Sequence, residues 1–190
     1  MTRRRIHVCA GGIRALLVAD VARRVEQVSG RQCYVSWAFD EPRAAEFNLY
    51  PADEITTTHP TSAFMVNCAH VANSFQTAEF VGSVTGDPLA LRLALLELAA
   101  EHTDVSGDAD ETLRRWRSAV AKWARSPGAP PSRPHLESAV AAFSELDTPR
   151  GVDMLRIVEA DNQLAAGSKF ETFAYLDRVV GIDLARDLGS

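Results

Sequence analysis

The segment IHVCAGGIR, residues 6–14, brings together residue types that could do chemistry. His7 and Cys9 are two residues apart, so in a strand they project from one face. Gly11 and Gly12 follow, where a helix N-terminus would offer bare amides to an anion. A thiol in that place could ionise and act as a nucleophile, with Cys9 and His7 as catalytic candidates. The alternative is a buried structural cysteine and a tight turn in which the glycines serve packing.

A second apolar segment, AFMVNCAHVA at residues 63–72, repeats this spacing with Cys68 and His70. If its strand lies beside the first, His7, Cys9, Cys68 and His70 form a candidate Cys2His2 zinc site. Otherwise the cysteines are small core residues and the histidines bond to the backbone. Without a metal, His70 joins His7 and Cys9 as a catalytic candidate.

Further polar or aromatic residues fall where parallel strands end, the usual position of ligands in α/β sheets. Asp53 and Glu54 lie in a polar segment, and they could bind an amine or act as a general base. The predicted ligand-binding residues are Gly11, Gly12, Trp37, Asp53, Glu54 and Asn73.

Hydrophobic periodicity predicts an α/β half followed by an all-helical half. Strands are predicted at 3–10, 31–39, 47–51 and 63–72, with a helix from Ile13 to Gly30 after the first. After Gly86 we predict helices only, the first capped by Asp87 and Pro88 and buried almost all round. Further predicted caps pair Asp108 with Glu111 and Ser168 with Glu171, the second as a capping box. The predicted domains are residues 1–86 and 87–190.

Composition narrows the classes of function. The 190 residues carry a net charge of −5, all of it in residues 87–190, so no basic footprint for nucleic acid is present. No apolar run approaches the roughly 20 residues of a membrane span, and no signal peptide is recognisable. Three widely spaced cysteines indicate reduced thiols. We expect a cytoplasmic protein.

Two helical stretches resemble a known family. The first stretch is GDPLALRLALL at residues 86–96, and the second is residues 145–184, which end in LDRVVGIDL. Both resemble the post-catalytic helical region of cysteinyl-tRNA synthetases and of the related cysteine ligase of mycothiol biosynthesis. GGIRALLVADVARR is similar to that family's first motif, with Arg14 and Asp20 in register. The resemblance implies a class I synthetase-like, Rossmann-like parallel sheet followed by a helical bundle, without the family's inserted domain.

The family's chemical motifs are missing. Cys9 to Gly12 stand where the family has its HIGH histidines, and no lysine precedes Lys122, so the lysine motif that holds the triphosphate is absent. The resemblance also implies a zinc ligand set, but Ala52 and Thr56 replace its histidine and glutamate.

We therefore expect a synthetase-like small-molecule enzyme that has lost ATP activation. Its ligand would resemble an amino acid or a nucleotide, with specialised metabolism as the expected setting. The alternative is a non-catalytic binding or interaction protein. We expect no ATP, no tRNA and no membrane as partners. Zinc and a homodimer remain alternatives.

Overall fold

Four short strands form one parallel sheet in the order β3-β2-β1-β4. The computed structural model describes residues 4–9, 12–58, 63–66, 86–98 and 108–189. Within them the strands are β1 Arg4–Val8, β2 Cys33–Trp37, β3 Glu54–Ile55 and β4 Phe64–Val66. The condition on which the Cys2His2 hypothesis depends, that the first strand and the strand at 63–72 are neighbours, is met over residues 64–66, since β1 pairs with β4 through Ile6–Phe64 and Val8–Val66.

The described residues also contain six helices, so the fold is mixed α/β. Helix α1, Gly12–Val28, connects β1 to β2. The other five all follow Gly86: α2 Pro88–Glu97, α3 Ala109–Trp123, α4 Arg133–Ser144, α5 Thr148–Ala160 and α6 Ala166–Val180. None of these helices is long and apolar enough to cross a membrane. The domain division at Gly86 stays a prediction.

The predicted strand at 47–51 is wrong. Residues 42–48 form turns, in which Asn48 and Leu49 donate backbone hydrogen bonds to Ala45 and Ala44. Phe47 and Leu49 are apolar because they anchor this turn in the core, where both are buried. The third strand instead begins at Glu54, within the segment predicted as a polar loop. Its backbone pairing with β2 outweighs its polar composition.

The helix caps follow the sequence prediction in part. Asp87 caps α2 as predicted, because its Oδ1 accepts a hydrogen bond from Leu89 N at 2.9 Å, and residues 89–96 are all buried. Asp108 makes no cap hydrogen bond to α3. The predicted capping box at Ser168 is wrong, since α6 already begins at Ala166 and places Ser168 inside the helix.

One hydrophobic core runs through the sheet, α1 and the later helices. Trp116 of α3 meets Phe173 of α6 edge to face, with ring centroids 5.9 Å apart, and both side chains are fully buried. This geometry is favourable for aromatic pairs beyond the area that they bury. Trp116 is therefore a core residue.

A buried ion pair joins the first helix to the later ones. Arg92 of α2 is completely buried, and its Nη2 donates to Asp20 Oδ2 of α1 at 2.6 Å. Its other donors reach the carbonyls of Val180 at 2.6 Å and Phe47 at 2.8 Å. Arg92 thereby connects α2 with α1, with the end of α6 and with the turn before β3. A guanidinium can do this because its donors are fixed in one plane.

Asp20 also forms an ion pair with Arg24, whose Nε donates to the same Oδ2 at 2.7 Å. Gly181 closes the cluster by ending α6 with a left-handed φ of 69°. A Cβ there would lie 3.0 Å from Arg24 and Arg92 side-chain atoms, so glycine is needed for both conformation and space. Burial lowers the pKa of Arg92, and the charge of Asp20 opposes that effect.

A further buried arginine ties α1 to the end of α2. Arg14 Nη2 donates to the carbonyl of Leu98, the C-cap residue of α2, at 2.6 Å. A cation is favourable there because the last carbonyls of a helix lack intrahelical donors. Arg14, Asp20 and Arg92 all belong to the motifs that carry the family resemblance. In this chain they hold the scaffold together.

Replacing Arg92 by methionine should destabilise the protein by about 3–5 kcal/mol, because it leaves the Asp20 carboxylate and the carbonyls of Val180 and Phe47 without that donor in the interior. Urea denaturation followed by circular dichroism measures the change.

Arg115→Met is the matched control, since Arg115 forms a half-exposed ion pair with Glu159. It should cost no more than about 1 kcal/mol. Equal effects of the two substitutions would contradict the structural role assigned to Arg92.

Candidate functional site

A row of polar side chains crosses one face of the sheet. His7 of β1, Ser36 of β2 and Glu54 of β3 are register partners on adjacent strands. His7 Nδ1 lies 2.8 Å from Ser36 Oγ, and the tautomer of His7 determines which of the two donates. Both residues are at most 1% exposed. The row exists because alternate residues of parallel strands in register line up on one face.

The other face of the same strands is apolar. Ile6 and Val8 of β1, and Val35 and Trp37 of β2, alternate with the polar residues and belong to the hydrophobic core. The sheet therefore has a face used for packing and a face on which polar side chains collect.

A small cavity of about 190 Å³ lies along the polar row. Its chemical groups are a guanidinium, a phenol, a hydroxyl and a carboxylate. The lining residues are Arg5, Ile6, Tyr34, Ser36, Glu54 and Ala63. Tyr34 Oη donates to Glu54 Oε2 at 2.9 Å, and this bond, the largest cause, raises the pKa of Tyr34. The phenol is therefore a neutral donor that orients the carboxylate.

Of the predicted catalytic residues, the structure places His7 at this site beside Ser36. Cys9 is half-buried and lies one residue beyond the end of β1. His70, and Cys68 of the candidate zinc set, lie outside the described residues. Among the residues that are described, no group of three or more His, Cys, Asp or Glu side chains could hold a metal ion. With two of its ligands undescribed, the Cys2His2 hypothesis stays a prediction.

Gly12 is the first residue of α1 and has a φ of 59°. Other residues rarely adopt this conformation, so the turn between β1 and α1 is itself a reason for glycine at this position. Gly11 and Asn73 lie outside the described residues.

The remaining predicted ligand residues have different surroundings. Trp37 is 5% exposed and packs in the core. Asp53 accepts from Val35 N at 2.8 Å and forms an ion pair with Arg23 at 3.2 Å. These bonds hold the start of β3 against β2. Of this group, Glu54 alone lines the small cavity.

Sequence reasoning missed Arg5, Tyr34 and Ser36. The signal was present in the alternation of RRIHV and CYVSW, where polar residues occupy every second position of two otherwise buried strands. Parallel pairing of β1 with β2 in the observed register puts these positions side by side. The register itself could not be read from the sequence.

A larger open cleft of about 790 Å³ lies between the turn before β3 and the ends of α2 and α6. Asp87 in its lining is already paired, because its Oδ2 accepts from Arg117 at 2.7 Å and from Arg186 at 2.9 Å. Burial works against ionisation of Asp87, but its bonds to Arg117 and Leu89 outweigh burial and lower the pKa of the carboxyl. These contacts fasten helix ends, and the polar row on the sheet is the better candidate site.

Comparison of the chain with protein-family models, with curated proteins and with solved structures found no match. The expected resemblance to cysteinyl-tRNA synthetases therefore rests on sequence motifs alone.

Cys33 should resist alkylation in the native protein. Burial raises the pKa of its thiol to about 11, so little reactive thiolate is present near pH 8.5, about the usual cysteine pKa. Treatment with iodoacetamide and peptide mass spectrometry should show Cys33 unmodified in native protein and modified in urea. Equal modification in both conditions would contradict the buried position of β2.

Proposed function

We propose that this chain is a small-molecule-binding protein that uses a synthetase-like scaffold without ATP activation. The four parallel strands and α1 would form a Rossmann-like unit, and α2 to α6 a helical bundle, as the family resemblance implies. The parallel connection β1-α1-β2 and the central position of β1 between β2 and β4 support this proposal.

The ligand that fits the site best is a small amino acid or a close derivative. The observation that carries this conclusion is the cavity with Arg5 and Glu54 in one lining. A guanidinium binds a carboxylate through paired hydrogen bonds, and a carboxylate binds an ammonium group. The hydroxyls of Tyr34 and Ser36 add neutral polar contacts.

Cavity size favours an amino acid over a nucleotide. The cavity measures about 190 Å³, whereas pockets for larger ligands commonly measure about 300–1,000 Å³. Of the two ligand types that the sequence leaves open, the smaller one fits without rearrangement of the strands.

Amino-acid binding should depend on both charges. Arg5→Gln and Glu54→Gln should each weaken binding of a small free amino acid by about 10-fold to 100-fold, because each removes a charged hydrogen bond. Isothermal titration calorimetry with a panel of small amino acids measures this.

Two ligand derivatives assign each charge. Arg5→Gln should bind the amino-acid methyl ester as tightly as the wild-type protein does, because the ester lacks the carboxylate that Arg5 would contact. Glu54→Gln should not weaken binding of the N-acetyl amino acid, which lacks the ammonium group. Glu46→Gln, which changes an exposed glutamate outside the cavity, is the control. Absence of binding by any amino acid, or variants that bind as the wild type does, would refute the proposal.

The protein should not activate cysteine with ATP. Neither cysteine-dependent ATP–pyrophosphate exchange nor aminoacylation of tRNA is expected, because Cys9 to Gly12 replace the histidine motif and the first 121 residues contain no lysine. A functional cysteinyl-tRNA synthetase assayed in parallel is the positive control. Exchange above background would overturn this part of the proposal.

The second candidate function is that of a non-catalytic interaction protein. An apolar groove of about 510 Å³ favours it, formed where Pro130 and Pro131 meet Leu136 and Val140 of α4 and Tyr175 of α6. The occupant under this hypothesis is a second copy of the chain. Analytical ultracentrifugation decides: a dimer that Leu136→Glu dissociates would support it, and a monomer would exclude it.

A further inference from the structure

The hydrogen bond between His7 and Ser36 joins a base to a hydroxyl that lines a cavity. A serine hydroxyl is a weak nucleophile until a neighbouring base accepts its proton. The separation of 2.8 Å between Nδ1 and Oγ lies within the range for such a transfer. His7 and Ser36 are also register partners on adjacent strands, so the backbone holds them opposite one another.

We propose that Ser36 is a nucleophile, that His7 is its general base, and that the site takes an ester or thioester of a small amino acid. The choice of an amino-acid acyl group rests on the proposed function; the nucleophile rests on the His7–Ser36 geometry. Arg5 and Glu54 line the same cavity as Ser36, and their charges would orient such a ligand.

The reaction would proceed through an acyl-serine. Ser36 Oγ attacks the carbonyl carbon as its proton passes to His7 Nδ1. The bond from that carbon to the alcohol or thiol then breaks, and the leaving group takes the proton from His7. Water attacks the acyl-serine, with His7 accepting a proton from the water and returning it to Ser36 Oγ. The products are the free amino acid and the alcohol or thiol, with no net oxidation or reduction.

A second serine–histidine pair provides an internal control. Ser132 Oγ lies 2.7 Å from His135 Nδ1 at the start of α4, a separation close to that of the first pair. This pair is local, three residues apart and half-buried, and neither residue lines a cavity described above. If Ser36 reacts and Ser132 does not, the reactivity of Ser36 comes from its surroundings in the cavity. A serine–histidine hydrogen bond alone would then not be sufficient.

The test uses methanesulfonyl fluoride, a reagent small enough for the cavity. Ser36 Oγ would bond to sulfur with loss of fluoride, while His7 accepts the proton. Tryptic digestion gives residues 32–43, QCYVSWAFDEPR, in which Ser36 is the sole serine. Fragment-ion mass spectra of this peptide show whether the sulfonyl label is on Ser36 or on Tyr34. In native wild-type protein, Ser36 should be sulfonylated and Ser132 should not, and in urea the label at Ser36 should disappear.

Variants then assign the base. His7→Gln should slow the labelling of Ser36 by about 10²-fold to 10⁴-fold, the range for loss of a general base. His135→Gln should leave the rate unchanged. His7→Gln changes a buried residue, so circular dichroism checks that the variant is folded. If it is not, the comparison of native and urea-treated wild-type protein decides whether Ser36 is a nucleophile.

The same protein is assayed for hydrolysis of small amino-acid thioesters, which Ser36→Ala should abolish. Labelling of Ser36 at the same rate in native protein and in urea would overturn the nucleophile. Amino-acid binding without labelling would also overturn it while leaving the proposed function intact. Labelling without amino-acid binding would refute the choice of ligand and support the nucleophile.

Discussion

The pairing of Arg92 with Asp20 is the interaction on which the arrangement of this molecule depends. It is buried and links α2 to α1, and Arg92 also bonds to the last turn of α6 and the turn before β3. Such a pair repays its desolvation only when nearly every polar atom has a partner. The surrounding residues supply those partners, and Gly181 leaves the space that the two guanidinium groups need. The ion pair therefore fixes where the later helices lie against α1.

This arrangement assigns different roles to the two faces of the sheet. Ile6, Val8 and Val35 join the core that α1 shares with the later helices. The opposite face is left for His7, Ser36 and Glu54, whose alignment follows from the parallel register. Polar residues in the interior of strands need partners. The buried His7 and Ser36 bond to each other, and the exposed Glu54 bonds to Tyr34. The candidate site is thus a consequence of how the sheet is packed on its other side.

The sequence was informative where a local signal decides the structure. Asp87 and Pro88 begin α2 as predicted, and the buried face of α3 follows its apolar period. The strand predicted at 47–51 was wrong because apolar residues such as Phe47 can anchor a turn as well as a strand. His7 was recognised as a candidate from its residue type, but its partner Ser36 depends on the pairing of strands 29 residues apart. Tertiary contacts of this kind leave no local pattern in the sequence. For the same reason, the expected motif match of Arg14, Asp20 and Arg92 did not reveal that these residues connect α1 to α2.

The central claim is that the buried ion pair makes the sheet, α1 and the later helices one cooperative unit. Native-state hydrogen exchange tests it most directly, because it reports the opening free energy of individual amides. The slowest amides of α1, around Leu17 and Val21, should exchange with the same free energy as those of α5 and α6 around Leu155 and Leu176. A difference of more than about 1 kcal/mol in opening free energy would separate distinct cooperative units. If the α1 amides opened with a free energy lower by that amount, α1 and the later helices would unfold independently and the claim would be wrong.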